Sequence, residues 1–167
     1  MYRATVLAFG LAASSFGVAY GHGEKHAGSS SKKSAAAANE ETSFGRPGDP
    51  EKATRTVKVG MNDQMHFTSG HVHVKQGDTI KFVVTNQGKI MHEMVIGTMK
   101  ELRKHAEVMK KHPGMEHDEP YVAHVSPGKT ETIAWQFTKA GEFHYACLIP
   151  GHVEAGMIDR ISVARRD

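Results

Sequence analysis

Apolar and polar residues alternate over short stretches from about residue 53 onward, and turn residues separate these stretches. Alternation with a period of two is typical of strands with one buried face. In the clearest stretch, residues 79–85, Ile80, Phe82 and Val84 share one face. The other strand-like stretches are residues 54–59, 71–75, 91–96, 121–125, 130–137, 142–147 and 157–163. Seven or eight short strands separated by turns predict an all-β fold, a Greek-key β-sandwich.

Residues 99–112 interrupt the strand rhythm with a helical period. They are rich in good helix formers, and Pro113 with Gly114 ends the pattern. Four residues recur at helical spacing and therefore share one face: Leu102, His105, Met109 and His112. The sequence thus predicts a short helical insert at about residues 99–117.

Residues 1–21 have the features of a secretory signal peptide. Arg3 supplies a positive charge, residues 4–20 are mostly apolar and small, and Ala19 with Gly21 fits a small-x-small cleavage pattern. An uncleaved membrane anchor is the alternative, but the stretch is short and contains glycine and serine. We therefore expect cleavage, and a periplasmic protein that no longer contacts the membrane.

Residues 22–52 are rich in small and charged residues, and Phe44 is their one bulky apolar side chain. Such a composition predicts a flexible lead-in, because it offers too little apolar surface to offset the entropy of ordering. The sequence then divides into a signal peptide (1–21), a lead-in (22–52) and one domain (53–167), with the length of an ordinary domain.

The residue composition indicates what the protein binds more clearly than its net charge does. A formal net charge of +3 makes no case for binding nucleic acid. Twelve histidines and nine methionines are more informative, because both side chains bind copper and the soft thioether favours Cu(I). Cys147 is the single cysteine, so it cannot form a disulfide within the chain.

Cys147, His152 and Met157 stand at five-residue intervals near the C-terminus. They offer a thiolate, an imidazole and a thioether, which are three of the four donors of a blue-copper centre. The fourth donor would be a histidine from elsewhere in the chain. His92 is the best candidate, because it begins an apolar strand after a loop. The rivals are His66, His71, His73 and His124.

Several motifs together resemble the cupredoxin family over residues 53–167. They are residues 77–86 (GDTIKFVVTN), 92–97 (HEMVIG), 127–129 (PGK) and 140–157 (AGEFHYACLIPGHVEAGM), whose final C-x4-H-x4-M spacing is similar to the azurin-type ligand loop. The resemblance implies one type 1 copper held by His92, Cys147 and His152, with Met157 axial.

One departure from the family pattern concerns the neighbours of the first histidine. Many cupredoxins have an asparagine beside it that ties the ligand loops together, whereas Met91 and Glu93 flank His92 here. Asn86, in the preceding turn, is a candidate for that role. The surplus of histidine and methionine and the insert make the chain most similar to the periplasmic copper-tolerance cupredoxins of bacteria.

Two further groups of residues could bind copper. The insert and its exit carry His105, Met109, His112, Met115 and His117, which suit accessory Cu(I). The alternative is that the helical members only form a packing face. The second group comprises Met61, Met65, His66, His71 and His73, and there a solvated strand face is the expected interpretation.

Two functions remain open at this point: copper tolerance in the periplasm, and electron transfer between redox partners. Ala146 and Leu148 flank Cys147, so the histidines that wire a second copper centre in related oxidases are missing, and we expect no such enzyme. Oxidation of Cu(I) by the blue site stays open. We expect a monomer whose partners are copper ions and either a redox protein or a copper chaperone.

Overall fold

The computed structural model describes residues 41–113 and 118–166, which form two five-stranded sheets, one helix and one 3₁₀ turn. The elements are β1 (Arg46–Pro47), the turn Pro50–Lys52, β2 (Arg55–Asn62), β3 (His66–Phe67), β4 (Val72–Lys75), β5 (Thr79–Asn86), β6 (His92–Gly97), α1 (Met99–Lys111), β7 (Val122–Val125), β8 (Thr130–Gln136), β9 (Gly141–Ala146) and β10 (Ile158–Ala164). The predicted all-β sandwich with a short helix is confirmed.

The sheets have the strand orders β1-β8-β5-β2-β3 and β4-β10-β9-β6-β7. The pairs β2–β5 and β4–β10 are parallel, and the other pairs are antiparallel. The main core contains the predicted inward face of β5 together with Trp135 and Tyr145. Each large apolar side chain buried in this way stabilises the fold by roughly 1.5–3 kcal/mol.

Every residue of β6 is buried, on both faces of its sheet. Met94 and Ile96 belong to the main core, whereas Val95 packs in a second cluster with Leu102 and Met109 of α1. The helix therefore covers the outer face of the second sheet. This arrangement places β6, which begins at His92, in the interior of the protein.

Helix α1 begins at a capping box. The Thr98 side chain accepts a hydrogen bond from the Glu101 N–H, and the Glu101 carboxylate accepts one from the Thr98 N–H. The helix ends at Lys111, just before Pro113, as the sequence predicts. In the described ranges no helix has both the length and the apolar character needed to cross a membrane.

The segment 41–52 packs on the sandwich. Phe44 is 3% exposed and stacks on Trp135 with ring centroids 5.1 Å apart. β1 pairs with β8, and the Trp135 indole N–H donates to the Phe44 carbonyl. Here the structure differs from the sequence prediction, which assigned 41–52 to a flexible lead-in, because burial of one phenylalanine and a short strand pairing offset the ordering entropy. Residues 1–40, with the predicted signal peptide, lie outside the described residues.

Replacing Phe44 by alanine tests this docking. The substitution removes a buried ring and leaves a cavity against Trp135, so we expect the free energy of unfolding to fall by about 3 kcal/mol in chemical denaturation. Glu51→Ala, at an exposed position of the same segment, is the matched control and should change stability little. An unchanged denaturation midpoint for Phe44→Ala would show that the segment does not contribute to the core.

Candidate metal centre

Three metal-binding side chains meet at one end of the sandwich. The ligand atoms of His92, Cys147 and His152 all lie within 4.8 Å of one another, and all three residues are buried. The Cys147 Sγ lies 3.1 Å from the His152 Nδ1. Among the described residues, this is the one group of three or more histidine, cysteine or acidic side chains with such geometry.

The strand register explains why residues so far apart in sequence meet. β6 and β9 are antiparallel, with Val95 opposite Ala146. The chain leaving β9 therefore passes the start of β6, where His92 lies. Of the candidate upstream histidines, the structure brings His92 to Cys147 and His152, and none of the four rivals joins this described group.

Met157 closes the same loop. Its carbonyl accepts a hydrogen bond from the Cys147 N–H, and its own N–H donates to the His152 carbonyl, both at 3.0 Å. The side chain is fully buried in the main core, which also contains Cys147. The backbone therefore returns the thioether residue to the end of the sandwich where the other donors lie.

The donor set fits copper. Two imidazoles, a thiolate and a thioether are the ligands of blue-copper sites, and soft sulfur donors favour copper over hard cations. The His92 Nδ1 is buried and has no hydrogen-bond partner in the described part of the chain. Because buried polar atoms are normally paired, a bound metal ion would account for this nitrogen.

Comparison with known proteins decides the family. The model of copper-binding proteins of the plastocyanin/azurin family matches residues 53–164. The chain belongs to this cupredoxin family. It is 47% identical to the copper-resistant cuproprotein CopI of Rubrivivax gelatinosus over 142 residues, which are 85% of this chain and 82% of the relative. It is 40% identical to the protein of the same name from Vibrio cholerae over 120 residues, 71% of each chain.

Solved structures support the same fold. A reduced auracyanin from Roseiflexus castenholzii matches with a TM-score of 0.58 at 20% identity, covering 67% of this chain and 98% of that chain. Auracyanin B matches with a TM-score of 0.59 at 17% identity, covering 74% of this chain and 96% of that chain. These matches agree with the cupredoxin sandwich predicted from the sequence.

In this cupredoxin an aspartate orients the first histidine. The Asp63 Oδ1 lies 3.2 Å from the His92 Nε2, and both oxygens accept the Lys89 N–H. The Lys89 hydrogen bond, followed by that of His92, holds the pKa of Asp63 below its ordinary value against the opposing effect of burial. A carboxylate at Nε2 selects the tautomer that leaves the Nδ1 lone pair free for a metal. Sequence analysis missed Asp63, which lies 29 residues before His92.

Asn86 ties together the backbone around the site. Its fully buried amide group donates to the carbonyls of Ile90 and Val125, and its oxygen accepts the Gly88 N–H. The side chain therefore joins the loop before His92 to β7. It makes no hydrogen bond with the loop of Cys147 in the described structure, so the connection between the two ligand loops must come from another residue.

Burial controls the protonation of the donors in the metal-free protein. Burial raises the pKa of Cys147 to about 12. The negative charge of the Glu93 carboxylate also raises this pKa, whereas hydrogen bonds from the Glu93 and Ile149 N–H groups lower it. Burial also lowers the pKa of His152 below its ordinary value, and His92 adds to the decrease. A metal ion must therefore displace the thiol proton of Cys147, so the affinity of the site for the metal should rise with pH.

The candidate copper donors of the insert that the structure describes differ in burial. Met109 is 4% exposed and packs between α1 and the sheet, His105 is half-buried, and His112 is exposed. Met115 and His117 lie outside the described residues. Packing accounts for Met109, which was the alternative interpretation of the helical pattern, and accessory copper binding by this group stays a prediction.

In the second candidate copper group, the histidines lie outside the core and the methionines pack in or against it. Val72 and Val74 are buried, while the His71 and His73 rings lie on the outer side with centroids 3.9 Å apart. The His71 Nε2 is 2.7 Å from the Ser162 hydroxyl. Met61 is fully buried, Met65 packs against the core, and His66 is exposed.

Alkylation of the metal-free protein tests the burial of Cys147. A pKa of about 12 rather than 9.0 lowers the thiolate fraction at pH 8 by about a thousandfold, so iodoacetamide should react far more slowly with the folded protein than with the urea-unfolded chain. Below pH 12 the rate in the folded protein should rise about tenfold per pH unit without levelling off, whereas that of the unfolded chain should level off above about pH 9. Cys147→Ser provides the blank, and equal rates for folded and unfolded chains would contradict the described burial.

Proposed function

We propose that this cupredoxin is an exported copper-tolerance protein with one redox-active type 1 copper. The observation that carries the proposal is the buried group of His92, Cys147 and His152, with Met157 returning to the same end of the sandwich. Relatives that are 47% and 40% identical bear the name copper-resistant cuproprotein, which supports tolerance as the role.

Each residue has a distinct part in this function. His92, held by Asp63, and His152 would supply imidazole nitrogens to copper, Cys147 would supply a thiolate once its proton is displaced, and Met157 would supply a weak thioether. Bound copper supplies one-electron chemistry. Burial excludes water from the donors, and backbone hydrogen bonds fix their loop, so little rearrangement would accompany a change in the oxidation state of bound copper.

Export is the second element of the proposal. The features of residues 1–21 favour a periplasmic location after signal cleavage. Accessory ligands in the insert would then bind Cu(I) outside the cytoplasm, and that Cu(I) would be oxidised to Cu(II) as it passes one electron to Cu(II) at the type 1 site. His105, His112, Met115 and His117 are the candidates, because Met109 is committed to packing.

One observation favours electron transfer as the second candidate. Ile90 and Met91, 43% and 42% exposed, are the large exposed hydrophobic residues of the described chain, and they directly precede His92. A small apolar surface beside a copper ligand suits brief contact with a redox partner. The two functions share the copper site and differ in whether the cell requires the protein to survive copper.

Ligand substitutions test the copper site. Cys147→Ser should abolish the visible charge-transfer band of the Cu(II) protein, because no other thiolate exists in the chain. His92→Ala should also remove the band, whereas alanine at His66, His71, His73 or His124 should leave it in place. Loss of the band in one of these four variants, with His92→Ala unaffected, would overturn the ligand assignment.

Complementation tests the tolerance role. In a deletion strain grown on copper, the wild-type gene should restore growth and Cys147→Ser should not. Joint replacement of His112, Met115 and His117 by alanine should remove one equivalent of tightly bound Cu(I) and lower tolerance, while the visible band stays. Lys111→Ala, an exposed neighbour, is the matched control. One copper per wild-type chain, with full tolerance in the triple variant, would favour electron transfer instead.

A further inference from the structure

A buried carboxylate lies directly behind the cysteine loop. Glu93 is 1% exposed, and its Oε1 accepts the Leu148 N–H at 2.9 Å. Its Oε2 lies 3.1 Å from the Nδ1 of His124. The Glu93 backbone N–H also donates to the Cys147 Sγ at 3.4 Å. One residue therefore holds the cysteine sulfur and the amide that follows it.

The strand register produces these contacts. On one side of β6, Glu93 pairs with His124 of β7, and on the other side the antiparallel register with β9 carries Leu148 past Glu93. The side chain thus joins the strand that begins at one copper ligand to the loop that carries the other donors. Asn86 does not make this connection, since the hydrogen bonds of its side chain, within the described part of the chain, reach only the loop before His92 and β7.

Joining two loops through a buried carboxylate costs more free energy than joining them through an uncharged side chain. Burying a charge costs several kcal/mol unless hydrogen bonds and a partner offset it, and a neutral amide could accept the Leu148 N–H at lower cost. The contacts with Leu148 and His124 offset this cost, and the carboxylate adds a charge that an amide would not supply. That charge lies beside the thiolate that would bind the redox-active copper.

We propose that Glu93 is a positioning residue that fixes the Cys147 loop on β6 and, through its buried negative charge, lowers the reduction potential of the bound copper. This inference rests on the type 1 site proposed above. A negative charge favours Cu(II) over Cu(I), since the two ions differ by one positive charge, and the dry surroundings weaken the screening. A lower potential makes the bound copper a weaker oxidant and holds it more readily as Cu(II).

Two substitutions of Glu93 separate the effect of the hydrogen bond that it accepts from Leu148 from the effect of its charge. Glu93→Gln keeps an acceptor for the Leu148 N–H but removes the charge, so the visible band and copper retention should stay close to wild type while the reduction potential rises. Glu93→Ala removes both, so Cu(II) should be lost about ten- to a hundredfold more readily and the band should shift. Glu142→Gln, at an exposed position of β9, is the matched control and should leave the potential nearly unchanged, because water and salt screen its charge.

The outcomes decide between the alternatives. A potential in Glu93→Gln that moves no more than in Glu142→Gln would overturn the role of the charge even though the copper site persists. Copper retention in a folded Glu93→Ala protein equal to wild type would overturn the positioning role. If Glu93→Ala does not fold, the band and copper retention of Glu93→Gln test that role alone. Failure of the wild-type chain to bind copper would overturn the proposed function and this inference together.

Discussion

The hydrogen bonds that close the loop from Cys147 to Met157 hold the candidate copper donors together. The Cys147 N–H donates to Met157, the Met157 N–H to His152, and the His152 N–H to Ile149, each at 3.0 Å. A buried backbone group left unpaired costs about 1–3 kcal/mol, so each bond restricts the paths that this short loop can take. Three of the four donors therefore keep a fixed spacing before any metal binds.

The rest of the sandwich supports this loop. Strand pairing brings His92 to it, and Asp63 and Glu93 reach the site from two other directions. Helix α1 covers the outer face of β6, and the side chains of His92, Cys147 and Met157 are fully buried. The ion pair between Lys110 and Glu154 links the helix to the loop on the surface, but both side chains are about half exposed and the pair contributes little stability.

Sequence patterns predicted the features that depend on residues close together in the chain. Alternation and turn residues located the strands, helical spacing located α1, and the spacing of Cys147, His152 and Met157 indicated the chemistry. Asp63 and Glu93 could not be assigned in this way, because their roles depend on which loops the register brings together. The docking of Phe44 was missed for the same reason, since its partner Trp135 is 91 residues away. Periodicity likewise could not tell whether Met109 packs or binds copper.

Copper K-edge X-ray absorption on the Cu(II)-loaded protein tests the central claim most directly, because it identifies the atoms bound to the metal without relying on colour or growth. The account predicts one short copper–sulfur distance from Cys147 and two imidazole nitrogens in the first shell, with the sulfur lost in Cys147→Ser. A first shell of only nitrogen and oxygen donors in the wild-type protein would contradict it.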